Sequence, residues 1–67
     1  MAEYRFKIGE LVLFRPRARR QIDAPLKRPY RVMQRLPEAR GAAQYQIRCT
    51  LTGKEFAASA VELRAIA

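Results

Sequence analysis

An all-β fold is what this sequence predicts, and three observations predict it. Apolar and polar residues alternate with period two in several short stretches, glycines and prolines break those stretches, and outside the alanine-rich tail no apolar pattern at helical spacing competes. The alternation is clearest from Gln44 to Leu51. There Tyr45, Ile47, Cys49 and Leu51 share one face while Gln44, Gln46, Arg48 and Thr50 share the other. A residue's side of a strand flips at every step, so this spacing describes a ribbon with one buried and one wet face.

The elements follow in chain order. In Tyr4 to Phe14, Tyr4, Phe6 and Ile8 alternate with Arg5 and Lys7 before Gly9-Glu10 interrupts and Leu11 to Phe14 continues apolar. This predicts one strand bent at Gly9, since a strand glycine marks a bulge or tight bend. Arg15 to Pro29 carries prolines at 16, 25 and 29, which withhold backbone donors and disfavour helix interiors and central strands alike. A loop this long in a small domain is usually functional or disordered. Tyr30 to Leu36 alternates again, with Tyr30 and Val32 inward and Arg31 and Arg35 outward, and Pro37 is expected to end it. Residues 38 to 42 read as a turn, and Thr52-Gly53 reads as the turn between Gln44–Leu51 and a returning strand at Lys54–Ala58 with Phe56 inward. The tail is open to two readings. Its alanines favour helix, while Val61 to Ala65 alternates and Ser59 to Glu62 suits a single helical turn.

Composition bounds the rest. The 67 residues make one domain, 1–67, and a chain this short buries too little surface to be stable without close packing or a staple. Cys49 is the single cysteine and histidine is absent, which leaves neither an intrachain disulfide nor a usual zinc set. A compact barrel or self-association, such as a homodimer, must then hold the fold. No metal and no cofactor is expected. The lone thiol fits a reducing compartment, no apolar run is long enough for a bilayer, and Met1 to Gly9 is too charged for a signal peptide. A cytoplasmic protein without a membrane role is the expectation.

Taken together, these segments resemble the small SH3-like β-barrels of the Tudor and KOW kind, and short bacterial proteins of that shape. The resemblance rests on F-x-I-G-E-x-V at Phe6 to Val12, P-Y-x-V at Pro29 to Val32, Y-x-I at Tyr45 to Ile47, the Thr52-Gly53 turn and S-x-x-E-L at Ser59 to Leu63. It implies a five-stranded antiparallel, partly open barrel with a long basic loop after the first strand. It also implies a short 3₁₀ turn at S-x-x-E before the last strand, which settles the tail against a long helix. Families of this architecture bind RNA, ribosomes or peptides, so the fold alone assigns no role. Two features of those families are missing here: there is no cluster of aromatics for a methyl-lysine or methyl-arginine cage, and no aromatic row for proline-rich peptides.

Catalysis finds no support. Nucleophilic chemistry needs a positioned base, and Cys49 has no histidine to activate it and lies on the inward face of its strand. The acids show no pairing for acid–base work, and the three glycines are isolated rather than forming a phosphate cradle. The protein is expected not to be an enzyme. Charge points instead to a polyanion. Lys and Arg number 14 against 6 acids, for a formal charge of +8. Seven of those bases, Arg15, Arg17, Arg19, Arg20, Lys27, Arg28 and Arg31, fall within residues 15–31 against Asp23 alone. Arginine suits bidentate contact with phosphate, and each phosphate neutralised releases counterions. The predicted function is a non-enzymatic basic module that contacts nucleic acid or the ribosome through this loop, with Arg31, Arg35 and Arg48 as extensions on outward strand faces. The competing class is a protein-interaction module, binding an acidic protein or a second copy of itself through an exposed strand edge.

Overall fold

The computed structural model describes residues 4–17 and 28–66. Its strands are β1 (Leu11–Phe14), β2 (Pro29–Ala39), β3 (Ala42–Cys49), β4 (Glu55–Ser59) and β5 (Leu63–Ala65), with a 3₁₀ turn at Ala60–Glu62 between the last two. All pairings are antiparallel within one sheet of order β4-β3-β2-β1-β5. No α-helix occurs among the described residues. The five-stranded antiparallel expectation and the 3₁₀ turn before the last strand both hold. The turn carries the chain from one edge of the sheet to the other, and β4 and β5 do not pair, so the sheet is not closed.

Alternation decides which face is dry. Val12, Phe14, Tyr30, Val32, Ala43, Tyr45, Ile47, Cys49, Ala58 and Leu63 are buried on the inner face, joined by Phe6 and Ala60 from outside the strands. Burial of such side chains is the main favourable contribution to folding, roughly 1.5–3 kcal/mol for each large one. The aromatics form two groups. Tyr4 and Phe6 set their rings edge-on to Tyr45 at centroid distances of 5.6 and 5.5 Å. Phe14, Tyr30 and Phe56 meet one another at 5.3, 5.8 and 6.0 Å. All but the tilted Phe14–Phe56 pair are edge-to-face, and rings so arranged at these spacings add to what area burial provides.

Four local expectations are corrected. The first strand does not begin at Tyr4. Lys7 to Glu10 folds into a turn, in which the Glu10 N–H donates to the Lys7 carbonyl and the Lys7 N–H to Glu10 Oε1, both at 3.0 Å. Gly9 takes φ +91°, which glycine tolerates and other residues rarely adopt. Tyr4 and Phe6 still pack inward, but the turn throws Ile8 out to 62% exposure. Pro37 does not end β2. It falls where the β2–β3 register shifts between Leu36 and Ala39, a bulge in which its missing N–H is not required. The hairpin closes tightly at Arg40-Gly41, both at positive φ (52° and 75°), with Ala39 facing Ala42. This is the two-residue connection whose twist matches antiparallel strands. Finally, β3 ends at Cys49, and the turn closed by Gly53 N–H to the Cys49 carbonyl (2.8 Å) leaves Leu51 63% exposed rather than inward.

Candidate functional site

The basic segment leaves the sheet at the end of β1 and returns at the start of β2. Leu13 faces Pro29 across the ladder, so the two ends of the segment are held side by side. On the β2 side, the Pro29 carbonyl accepts both the Thr50 hydroxyl (2.8 Å) and the Thr50 N–H (3.2 Å). On the β1 side, Glu62 is the anchor. Its carbonyl accepts the Arg15 N–H, and its Oε2 accepts the Arg17 N–H, both at 2.8 Å. Glu62 Oε1 meanwhile accepts the Ser59 N–H at 3.0 Å, the reach-back bond of a capping box. The S-x-x-E motif thus stabilises its own 3₁₀ turn and ties down the root of the loop with one carboxylate.

Arg15, Arg17 and Arg28 are exposed at this end of the sheet. Arg31 lies on the outward face of β2, exposed, with Nη1 donating to the Gly9 carbonyl at 2.9 Å. That bond fixes the guanidinium without neutralising it. Arg19, Arg20 and Lys27 lie outside the described residues. The structure therefore describes four of the seven candidate bases, all of them exposed.

The two proposed extensions differ. Arg48 sits directly across from Arg31, a like-charge pairing that would destabilise the ladder if left alone. Glu55 offsets it from the next strand: Arg48 donates from Nε (3.1 Å) and Nη2 (2.6 Å) to Glu55 Oε2. Gln46 bonds the other carboxylate oxygen, and Gln34 donates to Gln46 Oε1 at 2.6 Å. The Arg48 and Gln46 hydrogen bonds, with the Arg48 charge, hold the Glu55 carboxyl below its usual range despite an opposing desolvation effect. Arg48 is thus already committed to a carboxylate. Arg35 is not on the outward face as expected: the register shift after Val32 sets it opposite the buried Tyr45, and its guanidinium carbon lies 5.8 Å from the Tyr4 ring centroid, away from the loop root.

One base went unrecognised in the sequence. Arg64 of β5 is exposed and faces Leu13 across the ladder, which puts it on the same outward face as Arg31. Alternation around Leu63 shows that Arg64 points outward, but its place beside β1 follows from the strand order, which no local pattern encodes. Leu11 and Leu13, 39% and 36% exposed, lie between the two arginines. Beside them, Arg5, Phe6, Glu10, Val61 and Arg64 line part of a shallow groove of about 490 Å³.

Cys49 is fully buried, and among the described residues no three His, Cys, Asp or Glu side chains gather as a metal site. Burial, then the neighbouring Cys49, pushes the Tyr30 hydroxyl up to about 12. Among the described residues no helix is long and apolar enough to cross a membrane. No protein-family model matches the chain, and neither a curated protein nor a solved structure matches it.

Proposed function

We propose that this chain is a non-enzymatic, cytoplasmic binding module of the SH3-like barrel kind, which grips the phosphate backbone of nucleic acid through residues 15–31. One observation carries the reading. Pairing of β1 with β2 sets the two ends of the segment side by side, with Arg15, Arg17, Arg28 and Arg31 exposed, while the Glu62 carboxylate at the root is occupied by backbone N–H groups. A rigid sheet holding the two ends of an arginine-rich segment side by side presents its charge to a polyanion at small ordering cost. Fluorescence anisotropy with labelled nucleic acid tests it, using the triple variant Arg17→Glu, Arg19→Glu, Arg20→Glu. Binding that falls at least about tenfold and loses salt dependence supports the loop as the site. Binding that survives places the site elsewhere.

A second reading has its own observation. β4 and β5 are edge strands that do not pair with each other, and an open edge accepts a strand from a partner or a second copy. Sedimentation of the free protein separates the two: a monomer at high concentration removes the self-associating form.

A further inference from the structure

We propose that the nucleic acid held by this surface is double-stranded, gripped by its phosphates with no reading of the bases, and that Arg64 extends the grip across the outer face. The inference rests on the nucleic-acid reading above and narrows it to one class of ligand.

The argument starts from the aromatics. Proteins that hold single strands use exposed aromatic rings as platforms on which bases stack, each base contributing about 1–3 kcal/mol. This chain has three tyrosines, three phenylalanines and no tryptophan or histidine. None of the six rings is fully exposed. Four are core residues, and Tyr4 and Phe56 pack against that core. Their mutual ring contacts hold them there. The segment 18–27 contains no aromatic residue at all. No ring stands out from the surface as a platform for a base, Tyr4 and Phe56 being only partly exposed.

Without stacking, affinity comes from charge alone, and then linear charge density decides. A duplex carries one phosphate charge per about 1.7 Å of axis, against about 3.4 Å for each of its strands. A fixed set of arginines neutralises more phosphates on the denser polymer, and each contact releases more counterion there. The outer face suits a broad, stiff ligand better than a threaded one. Arg64 and Arg31 stand on either side of the exposed Leu11–Leu13 ridge, on neighbours of β1, next to the loop root at Arg15. Leucines on that ridge exclude water but offer no π-face.

The test uses the full chain with three labelled probes of about 20 nucleotides or base pairs, namely a mixed-sequence DNA duplex, an RNA duplex and one DNA strand, titrated over a range of salt. The expected result is a duplex affinity about tenfold or more above the single strand's, and a steeper salt slope on the duplex. Exchanging A·T for G·C pairs should leave the duplex Kd within about threefold, since base edges are not contacted. Comparing the two duplexes shows whether the groove shape of DNA or RNA fits better. Arg64→Glu should weaken duplex binding about threefold or more, while the fold, monitored by far-ultraviolet circular dichroism, stays intact. A single strand bound as tightly as the duplex would overturn the proposal, because arginines would then be stacking on bases, and the nucleic-acid reading would survive. Failure of all three probes to bind at low salt would sink both.

Discussion

Glu55 decides how much of the outer face is positively charged. Its carboxylate holds Arg48 through two guanidinium bonds and so removes one arginine from any phosphate-binding surface. Glu55→Gln keeps an acceptor but releases the charge. The expected outcome is tighter nucleic-acid binding with a salt slope steeper by up to about 0.9, one more phosphate contact, measured by anisotropy at several salt concentrations. Glu55 ionises more readily in the folded chain than in the unfolded one, so this carboxylate stabilises the fold above its ordinary titration range. That contribution disappears as pH falls through the depressed folded value. Tyr30 works in the opposite direction. Its hydroxyl is raised from 10.0 to about 12, so its protonated form is favoured by folding. Stability is unaffected below pH 10 and is expected to fall between pH 10 and 12 as the unfolded chain alone gains the phenolate. Spectroscopic tyrosinate titration alongside unfolding would detect it, and a Tyr30 that titrates at its ordinary value in the intact fold would refute it.

At the scale of elements, the tight β2–β3 hairpin carries a testable strain. Arg40 holds φ 52° where asparagine or glycine is the usual occupant. Arg40→Asn should stabilise the fold by roughly 0.5–1 kcal/mol in urea unfolding, without altering the slope. The 3₁₀ turn offers the opposite case. Glu62→Ala removes acceptors from the Ser59 and Arg17 N–H groups together, with an expected loss of about 1–2 kcal/mol. A loss near zero would mean that water replaces the carboxylate at both positions.

These elements also show what the sequence disclosed. β3 was legible because each of its side chains obeys a period of two, whereas the residues of the tail left helix and strand both open and only the resemblance implied the 3₁₀ turn at Ser59 to Glu62. Tyr4 to Ile8 misled for the same reason that β3 did not. Alternation there places Tyr4 and Phe6 correctly inward, yet the backbone turns at Lys7 to Glu10 and never joins the ladder before Gly9. Pro37 was read as a stop because a proline cannot donate, and a bulge removes that requirement without any residue announcing it. The candidate site divides in the same way. Local charge density identified the basic segment, whereas Arg64 and the Arg31–Arg48 opposition depend on which strands become neighbours.

Across the whole molecule, the buried and outward faces do separate work. The inner face consumes every aromatic ring, and among the described residues no charged side chain is buried with it. Among the described residues, the surface a partner meets is therefore mostly guanidinium, ammonium, carboxylate, amide, hydroxyl and aliphatic groups. Such a surface senses ionic strength far more than shape or sequence, so conditions that screen charge should loosen any partner broadly rather than selectively.

The anchored loop root has a further consequence, for exchange of parts. Leu13 against Pro29, Thr50 on the Pro29 carbonyl, and Glu62 on Arg15 and Arg17 close the loop from outside residues 18–27. Closure entropy grows only logarithmically with length, about 0.6 kcal/mol per doubling. Replacing residues 18–27 with a neutral Gly-Ser stretch of the same length should leave the melting temperature within a few degrees, about 1 kcal/mol of stability. Polyanion affinity should drop to whatever Arg15, Arg17, Arg28, Arg31 and Arg64 retain. The scaffold would then behave as a socket: its rim is held by its own hydrogen bonds, and one cargo segment can be swapped for another, lengthened or given a different charge without redesigning what holds it.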